Sequence, residues 1–209
     1  MAITVTIQPS NTDGEDCLID SANPTINYNR QSTASISGTR VALIKFNLAN
    51  YIPLKSKLIG MAKFEVYLST GSDVYLPLTI LKRDFVYNEA TWNNWKAGSA
   101  WTTAGAKHTD DCFGGWAYNS IIAEGWLNSI GPETAWRGFW IPASIFDASL
   151  KQSTHGYGVL ITTWWAAGER ACGIYMCGNA TPANRPKYTF SYEPYHKIYM
   201  VKSGLGQVK

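Results

Sequence analysis

Hydrophobic and polar residues alternate with a period of two along much of the chain. At the N-terminus, Ile3, Val5 and Ile7 alternate with Thr4 and Thr6. Successive side chains of a β-strand point to opposite faces, so this alternation is typical of strands with one buried face, and here it indicates an edge strand. The same pattern predicts further strands at 44–48, 62–68, 74–80, 136–141, 157–164, 171–176 and 187–193.

Clusters of Gly, Pro, Asn and Ser separate these short strands. Many short alternating strands joined by such turns are typical of two packed antiparallel sheets. The sequence therefore predicts an all-β protein with a jelly-roll-like antiparallel β-sandwich.

One segment departs from this period. Ile122, Trp126 and Ile130 recur at intervals of four residues, which is the spacing of one helix face. The pattern predicts one short helix near 120–129, although Gly125 has a poor helix propensity.

The strand pattern ends at about Glu193, and 209 residues are compatible with one domain. We therefore predict a single β-sandwich domain over 1–193 and a C-terminal extension over 194–209. The extension has no core of its own, so it is predicted to be either a docked strand or an arm that reaches another subunit. Its candidate contact residues are Tyr195, Ile198, Tyr199 and Met200.

Charge and composition exclude several classes of partner. The net charge is +3, charged residues make up 16% of the chain, and the basic residues form no run, so nucleic-acid binding is not expected. The first residues lack a signal-peptide pattern, and no apolar run has the length of a membrane span. Taken as a complete product, the chain is expected to stay in a cytoplasm, or to leave it by lysis or within a particle.

Four cysteines and four aspartates are the residues from which a metal site or a disulfide would be built. Since the cysteines form no C-x-x-C pair, buried free thiols are predicted, with a Cys172–Cys177 bridge as the alternative. No cofactor is predicted, with calcium as the alternative. Exposed acidic turns are the other explanation for the candidate calcium ligands, Asp16, Asp20, Asp110 and Asp111.

The motifs of common enzyme classes are not found. The chain has no G-x-S-x-G, no H-E-x-x-H and no phosphate-binding glycine loop. Nine carboxylates offer a free choice of pairs, which is no evidence for a pair at the separation that glycoside hydrolysis requires. The chain is therefore predicted not to be an enzyme.

Four stretches, taken in order, resemble a known family. They are "EDCLIDSANPTINY", "RVALIKFNL", "LKRDFVYNEATWNNWKAGSAWTTAG" and "NRPKYTFSY". Together they resemble the DNRLRE (disaggregatase-related) β-sandwich family, which is related to carbohydrate-binding modules, and the resemblance covers residues 14–193. The chain departs from the family pattern in the inserted segment 131–149 and in the C-terminal extension, and both departures weaken the transfer of a ligand site.

The resemblance implies a domain that binds or displays rather than catalyses, of a type also found in structural proteins of tailed bacteriophages. We predict a non-catalytic virion protein, either a capsid decoration or a tail or fibre component. Its expected partners are other virion proteins and further copies of itself, without nucleic acid or membrane. The alternative is a carbohydrate-binding module, extracellular or at a cell surface, with glycans as partners.

The aromatic residues divide into anchors and candidate ligand contacts. Trp92 and Trp101 lie within the family motif and are predicted to anchor their loop. Trp136 and Trp140 are four residues apart, so as strand residues they share one face, where packing against the sandwich is predicted. The candidate carbohydrate or partner contacts are Trp95, Trp164, Trp165, Tyr157 and Tyr175.

Overall fold

The computed structural model describes residues 1–10, 13–46, 48, 51, 56–70, 75–113, 123–126, 136–142, 144–145, 158–163 and 171–194. Fourteen strands and one short 3-10 helix, Pro182–Asn184, are assigned within these residues. The strands are β1 Ile3–Ile7, β2 Gly14–Asp20, β3 Tyr28–Asn29, β4 Thr33–Ile36, β5 Arg40–Phe46, β6 Ser56–Thr70, β7 Tyr75–Ile80, β8 Asn94–Lys96, β9 Ser99–Ala100, β10 Ala123–Trp126, β11 Trp136–Pro142, β12 Val159–Ile161, β13 Cys172–Tyr175 and β14 Lys187–Pro194.

The strands form two six-stranded antiparallel sheets and a small β8–β9 hairpin. The front sheet has the order β1-β14-β6-β13-β4, and β11 also pairs with β6. The back sheet has the order β10-β7-β12-β5-β2-β3. Consecutive strands repeatedly cross from one sheet to the other, as in double-sheet jelly rolls. The prediction of an all-β antiparallel sandwich is confirmed.

The main core lies between the two sheets, and period-two alternation supplies its residues. In β6, which has fifteen residues, Leu58, Ala62, Phe64, Val66 and Leu68 all point inward and are buried. Aromatic rings of both sheets meet in this core; the Phe46 and Tyr188 rings are 5.3 Å apart, edge to face. Burial of apolar surface of this kind is the main source of a sandwich's stability.

The back sheet is also buried on its outer face, which makes β2 and β5 apolar on both sides. Cys17 and Ile19 of β2, with Val41 and Leu43 of β5, point outward into a second buried cluster. The chain segment over residues 81–112, here the covering segment, supplies most of the other members of this cluster: Leu81, Phe85, Ala90, Trp92, Trp101, Ala106 and Cys112.

The predicted helix near 120–129 is wrong where the structure describes it. Residues 123–126 form β10, which pairs with β7 through Ala123↔Leu78 and Gly125↔Leu76. A spacing of four residues is a multiple of two, so it fits one face of a strand as well as one face of a helix. In the folded protein, pairing with β7 selects the strand over the helix. The other residues of that segment lie outside the described part of the chain.

Two further predictions can be placed against the described residues. Among the described strands, β1 pairs only with β14 and ends the front sheet, as the predicted edge strand should. β14 continues to Pro194, and the rest of the predicted extension lies outside the described residues. Within the described part of the chain, no helix has the length and apolar character needed to cross a bilayer.

Candidate binding surface

The tryptophans of the covering segment pack inward onto the back sheet. Trp92 is 8% exposed and Trp101 is 4% exposed. The Trp101 Nε1–H donates a hydrogen bond of 3.0 Å to the Thr91 carbonyl, so the polar atom of the indole is satisfied inside the protein. The prediction that both residues anchor this loop is confirmed.

Trp95 lies at the rim of the same cluster and is half-buried. It packs against the second cluster, and the Lys96 ammonium lies 4.6 Å from the centre of its ring. Its backbone carbonyl accepts a hydrogen bond from Val86 N–H. Trp95 therefore remains a candidate contact, on the back of the sandwich.

The outer face of the front sheet, here the front face, carries a cluster of three aromatic rings. Tyr67 of β6 contacts Trp136 of β11 at a ring-centre distance of 5.2 Å, and it stacks on Tyr175 of β13 at 5.8 Å. The Lys187 ammonium lies 3.8 Å from the centre of the Trp136 ring. All these side chains are partly exposed. Tyr175 was a predicted contact, whereas sequence reasoning did not select Tyr67.

An ion cluster lies beside these rings. The nearly buried Glu65 carboxylate is 2.7 Å from the Lys63 ammonium and 3.7 Å from that of Lys187. Two cations around one carboxylate leave a net positive charge at this point of the front face. Lys63 also lies 5.4 Å from the centre of the Trp140 ring, so it connects the ion cluster to that tryptophan.

Trp140 and Met61 are the most exposed apolar side chains of the front face. Trp140 is 53% exposed and Met61, which lies next to β11 opposite Pro142, is 48% exposed. Trp136 and Trp140 do share one face, as predicted, because Phe139 and Ile141 between and beyond them point into the core. The prediction that both pack against the sandwich is wrong for Trp140. Its side chain points away from the core between the sheets, to which β11 contributes Phe139 and Ile141.

The aspartates proposed as calcium ligands have protein partners. Asp20 pairs with Arg40 at 3.2 Å, and its carboxylate accepts the Ala22 N–H. The buried Asp111 carboxylate accepts N–H groups of Thr102 and Thr103. Asp110 lies beside His108, at 3.3 Å. Among the described residues, no group of three or more His, Cys, Asp or Glu side chains is placed to hold a metal ion.

Asp16 is fully buried where the two sheets meet. One carboxylate oxygen accepts the Cys177 N–H, and the other has no hydrogen-bond partner among the described residues. Loss of hydration therefore raises the pKa of Asp16 to about 6, although the hydrogen bond from Cys177 opposes this shift. Asp16 therefore joins β2 of the back sheet to the segment that follows β13 of the front sheet.

All four cysteines are buried free thiols, as predicted, so the alternative Cys172–Cys177 bridge is wrong. Burial raises the pKa of the Cys172 thiol to about 12 and also raises the pKa values of Cys17 and Cys177. Thiols with raised pKa values are poor nucleophiles and poor metal ligands at neutral pH. The cysteines act here as small core residues.

Polar residues of the four family-like stretches join those stretches to each other. The Asn27 side-chain amide donates to the Tyr87 and Ala90 carbonyls. Lys45 pairs with Asp84 at 2.9 Å and donates to the Phe85 carbonyl. The sequence analysis did not select Asn27 or Lys45 for this structural role. A single lysine within the apolar strand β5 was the signal that could have indicated it for Lys45.

Arg185 makes a similar connection at the start of the last family-like stretch. Its guanidinium donates to the Asn179 carbonyl at 2.8 Å and to the Pro9 carbonyl at 3.5 Å. It is buried, so these acceptors replace its lost hydration. These contacts of the motif residues therefore stabilise the fold.

The remaining predicted contacts lie outside the described residues. This applies to three of the aromatic candidates, Tyr157, Trp164 and Trp165, and to four of the arm candidates, Tyr195, Ile198, Tyr199 and Met200. Of the predicted aromatic contacts, the structure describes Trp95 and Tyr175, which lie on different sheets.

No protein-family model matches the chain, and no curated protein matches its sequence. Among solved structures, the chain is similar to one of infectious bursal disease virus, Gx strain, with 14% identity and a TM-score of 0.21. The match covers 94% of this chain and 37% of that chain, so this chain spans just over a third of its length. The TM-score is too low for this similarity to assign a fold or a function.

Proposed function

We propose that the protein is a non-catalytic structural component of a tailed-bacteriophage virion, either a capsid decoration or a tail or fibre part. The front face attaches the domain to its assembly, and the covered back sheet supplies its stability. The resemblance to DNRLRE domains supports the proposal, because such domains also occur in bacteriophage structural proteins.

The observation that carries the proposal is the exposure of Trp140 at 53% beside Met61 at 48%. Trp, Tyr and Met are enriched in the centres of protein interfaces, where Trp and Tyr often dominate the binding energy. The same face holds Tyr67 and Trp136 and a paired ion cluster.

Sedimentation of particles tests this proposal. In a density gradient of the source phage lysate, the protein is expected to band with virions. Recombinant protein is expected to rebind particles stripped of it, and Trp140→Ala/Met61→Ala is expected to lose most of this rebinding. Ile26→Ala is the matched control, because Ile26 is 47% exposed but lies away from the front face. Recovery only as free protein at the top of the gradient would refute a virion role.

The second candidate function is carbohydrate binding, favoured by the grouping of Tyr67, Trp136 and Tyr175 on an open sheet. Aromatic rings on such a face stack on the apolar faces of sugar rings. Trp95 offers a separate contact on the back of the sandwich. A decoration protein that also adheres to glycans would combine both functions.

Titration with polysaccharides tests the carbohydrate proposal and locates the contact. Binding is expected to change tryptophan fluorescence, and Trp136→Ala and Trp95→Ala separate a contact at the front-face aromatic cluster from a contact on the back. Loss of binding in neither variant, or no signal across a glycan array, would count against this function. The particle proposal does not depend on that result.

A further inference from the structure

Two lysines of the front face share one carboxylate. The Glu65 side chain is nearly buried; its Oε1 lies 2.7 Å from the Lys63 ammonium and its Oε2 lies 3.7 Å from the Lys187 ammonium. Both lysine side chains are partly exposed. One negative charge between two positive charges leaves one positive charge in excess, so this point of the face attracts an anionic group from solution.

The backbone beneath Lys63 fixes the position of one of these charges. Gly138 of β11 lies opposite Glu65 of β6 in the sheet register. A Cβ built on Gly138 would lie 2.5 Å from Lys63 Cε. Because glycine has no side chain, the Lys63 side chain passes over Gly138 and reaches Glu65. The fold therefore holds this ammonium in place before any ligand arrives.

Each lysine also lies beside an indole ring. The Lys187 ammonium is 3.8 Å from the centre of the Trp136 ring, and the Lys63 ammonium is 5.4 Å from the centre of the Trp140 ring. A neutral sugar that stacks on either ring face must displace a cation that the ring stabilises, and it offers no charge in return. A sugar with a carboxylate pairs with the ammonium while its ring packs on the remaining aromatic surface. The lysines therefore favour an anionic sugar over a neutral one.

Aromatic and hydroxyl groups extend the same surface towards β13. The Tyr67 and Tyr175 rings stack at 5.8 Å. The Ser69 and Thr70 hydroxyls lie over the backbone of Gly173, two residues before Tyr175. Hydroxyl groups beside aromatic rings give sugar hydroxyls both donors and acceptors. Because the row of groups continues across β11, β6 and β13, it suits an extended chain of sugars.

We propose that the front face binds an acidic polysaccharide whose charges are uronate carboxylates, and that Lys63 and Lys187 select it. A uronate carries its carboxylate directly on a ring carbon, so the charge stays close to a sugar ring that packs on an indole. That matches the closeness of each ammonium to its indole. A sulfate ester holds its charge an oxygen atom further away. The inference rests on the carbohydrate function proposed above and adds the class of sugar and the residues that select it.

Isothermal titration calorimetry with matched sugars tests the proposal. The probes are oligogalacturonate and its fully methyl-esterified form, which has the same chain without the charges. The acid is expected to bind at least about tenfold more tightly, because the ester offers no charged acceptor to either ammonium. Added salt should weaken binding of the acid and leave that of the ester unchanged. Equal affinities would overturn the inference and leave carbohydrate binding intact, whereas no binding of any glycan would refute the carbohydrate function itself.

Substitutions of opposite sign test the role of the charges. Lys187→Gln leaves the Lys63–Glu65 pair in place and removes the excess positive charge, so it is expected to weaken binding of oligogalacturonate about tenfold. Glu65→Gln removes the negative charge and is expected to strengthen that binding. Lys57→Gln is the matched control, because Lys57 lies near the start of β6, opposite Glu193. Weakening in both Lys187→Gln and Glu65→Gln, or an equal loss in the control, would overturn the selection by charge.

Two further probes separate a uronate from other anions. Polyglutamate carries carboxylates without sugar rings, and a sulfated oligogalactan with the same charge per residue carries sugar rings without carboxylates. Both are expected to bind more weakly than oligogalacturonate. Equal or tighter binding of polyglutamate would assign the face to an acidic polypeptide, and equal or tighter binding of the sulfated sugar would replace the uronate by a sulfate. Either result would overturn the proposal.

Discussion

The outer faces of the two sheets differ in how far they are buried. The back sheet's outer face is covered by the segment 81–112, which places Trp92 and Trp101 in a second apolar cluster. On the front face, Trp140 and Met61 are about half exposed, and among the described residues no segment covers them as 81–112 covers the back sheet. Both faces are rich in aromatic residues. What distinguishes them is whether the chain itself supplies the partner surface.

The two outer faces also differ in the environment of their charged side chains. Under the covering segment, Asp111 and Lys45 are buried and hold backbone groups of the loop in place. On the front face, Lys63 and Lys187 lie on aromatic rings and remain partly exposed. Buried charges with several backbone partners serve the fold, whereas partly exposed cations on rings remain able to exchange partners.

The largest effect is expected where the covering segment is anchored. Trp101→Ala should lower the free energy of unfolding by about 4 kcal/mol, because it leaves a large cavity and a carbonyl without its donor. Equilibrium urea denaturation measures this loss. Trp101→Phe, which keeps most of the ring volume, should cost clearly less; an equal loss in both variants would mean that filling of the cluster is not the cause.

The next effect is expected at Asp111, which fixes the covering segment through Thr102 N–H, Thr103 N–H and Arg83. Asp111→Ala should cost about 3 kcal/mol, because two backbone N–H groups and Arg83 lose the buried carboxylate that they contact. The same denaturation experiment applies, with Asp110→Ala as the matched control, since that carboxylate is mostly exposed. Similar losses at both positions would contradict the distinction drawn between them.

Asp16 gives a pH-dependent test of the junction between the sheets. Its pKa is raised from 3.8 to about 6 in the folded protein, so the folded state binds the proton more tightly than the unfolded state. The resulting stabilisation is complete below the unfolded pKa and disappears as the pH rises through about 6. Between about pH 4 and pH 8 it amounts to roughly 2 to 3 kcal/mol.

Asp16→Asn removes this titration. Denaturation curves at a series of pH values should show the variant gaining stability relative to wild type as the pH rises, with the change centred between about pH 4 and pH 6. Front-face binding should not change. A constant difference between the two proteins across this range would show that Asp16 does not titrate as proposed.

The smallest effect on stability is expected on the front face. Trp140→Ala should change the free energy of unfolding of the monomer by less than about 1 kcal/mol, because half of the side chain is already in water. Equilibrium urea denaturation measures this difference. A loss in the free energy of unfolding as large as that of Trp101→Ala would contradict the distinction between the exposed front face and the covered back sheet.

Much of the fold could be predicted from the sequence because period two is a local property. The strands around Ile3–Ile7, 62–68 and 187–193 follow directly from alternation, and the structure contains them. The anchoring of Trp92 and Trp101 was also predictable from their motif. The segment near 120–129 failed because a spacing of four fits both periods, and only pairing with β7 decides between them.

The binding surface could be predicted only in part. Tyr175 was selected, but its neighbours Tyr67 and Trp136 come from strands that are distant in sequence and adjacent only in the folded sheet. Trp140 was expected to pack inward, since tryptophan is usually buried. Alternation fixes which residues share a face. It does not say which of the two faces another part of the chain will cover.

The sequence by itself determined the fold class, the free thiols and the residues that share each strand face, because these depend on local periodicity and spacing. The tertiary structure decided that the segment 81–112 covers the back sheet and that β11 pairs with β6 in the front sheet. Those outcomes depend on contacts between residues far apart in the chain. For that reason Trp92 and Trp101 are buried anchors of their loop, whereas Trp140 is an exposed side chain.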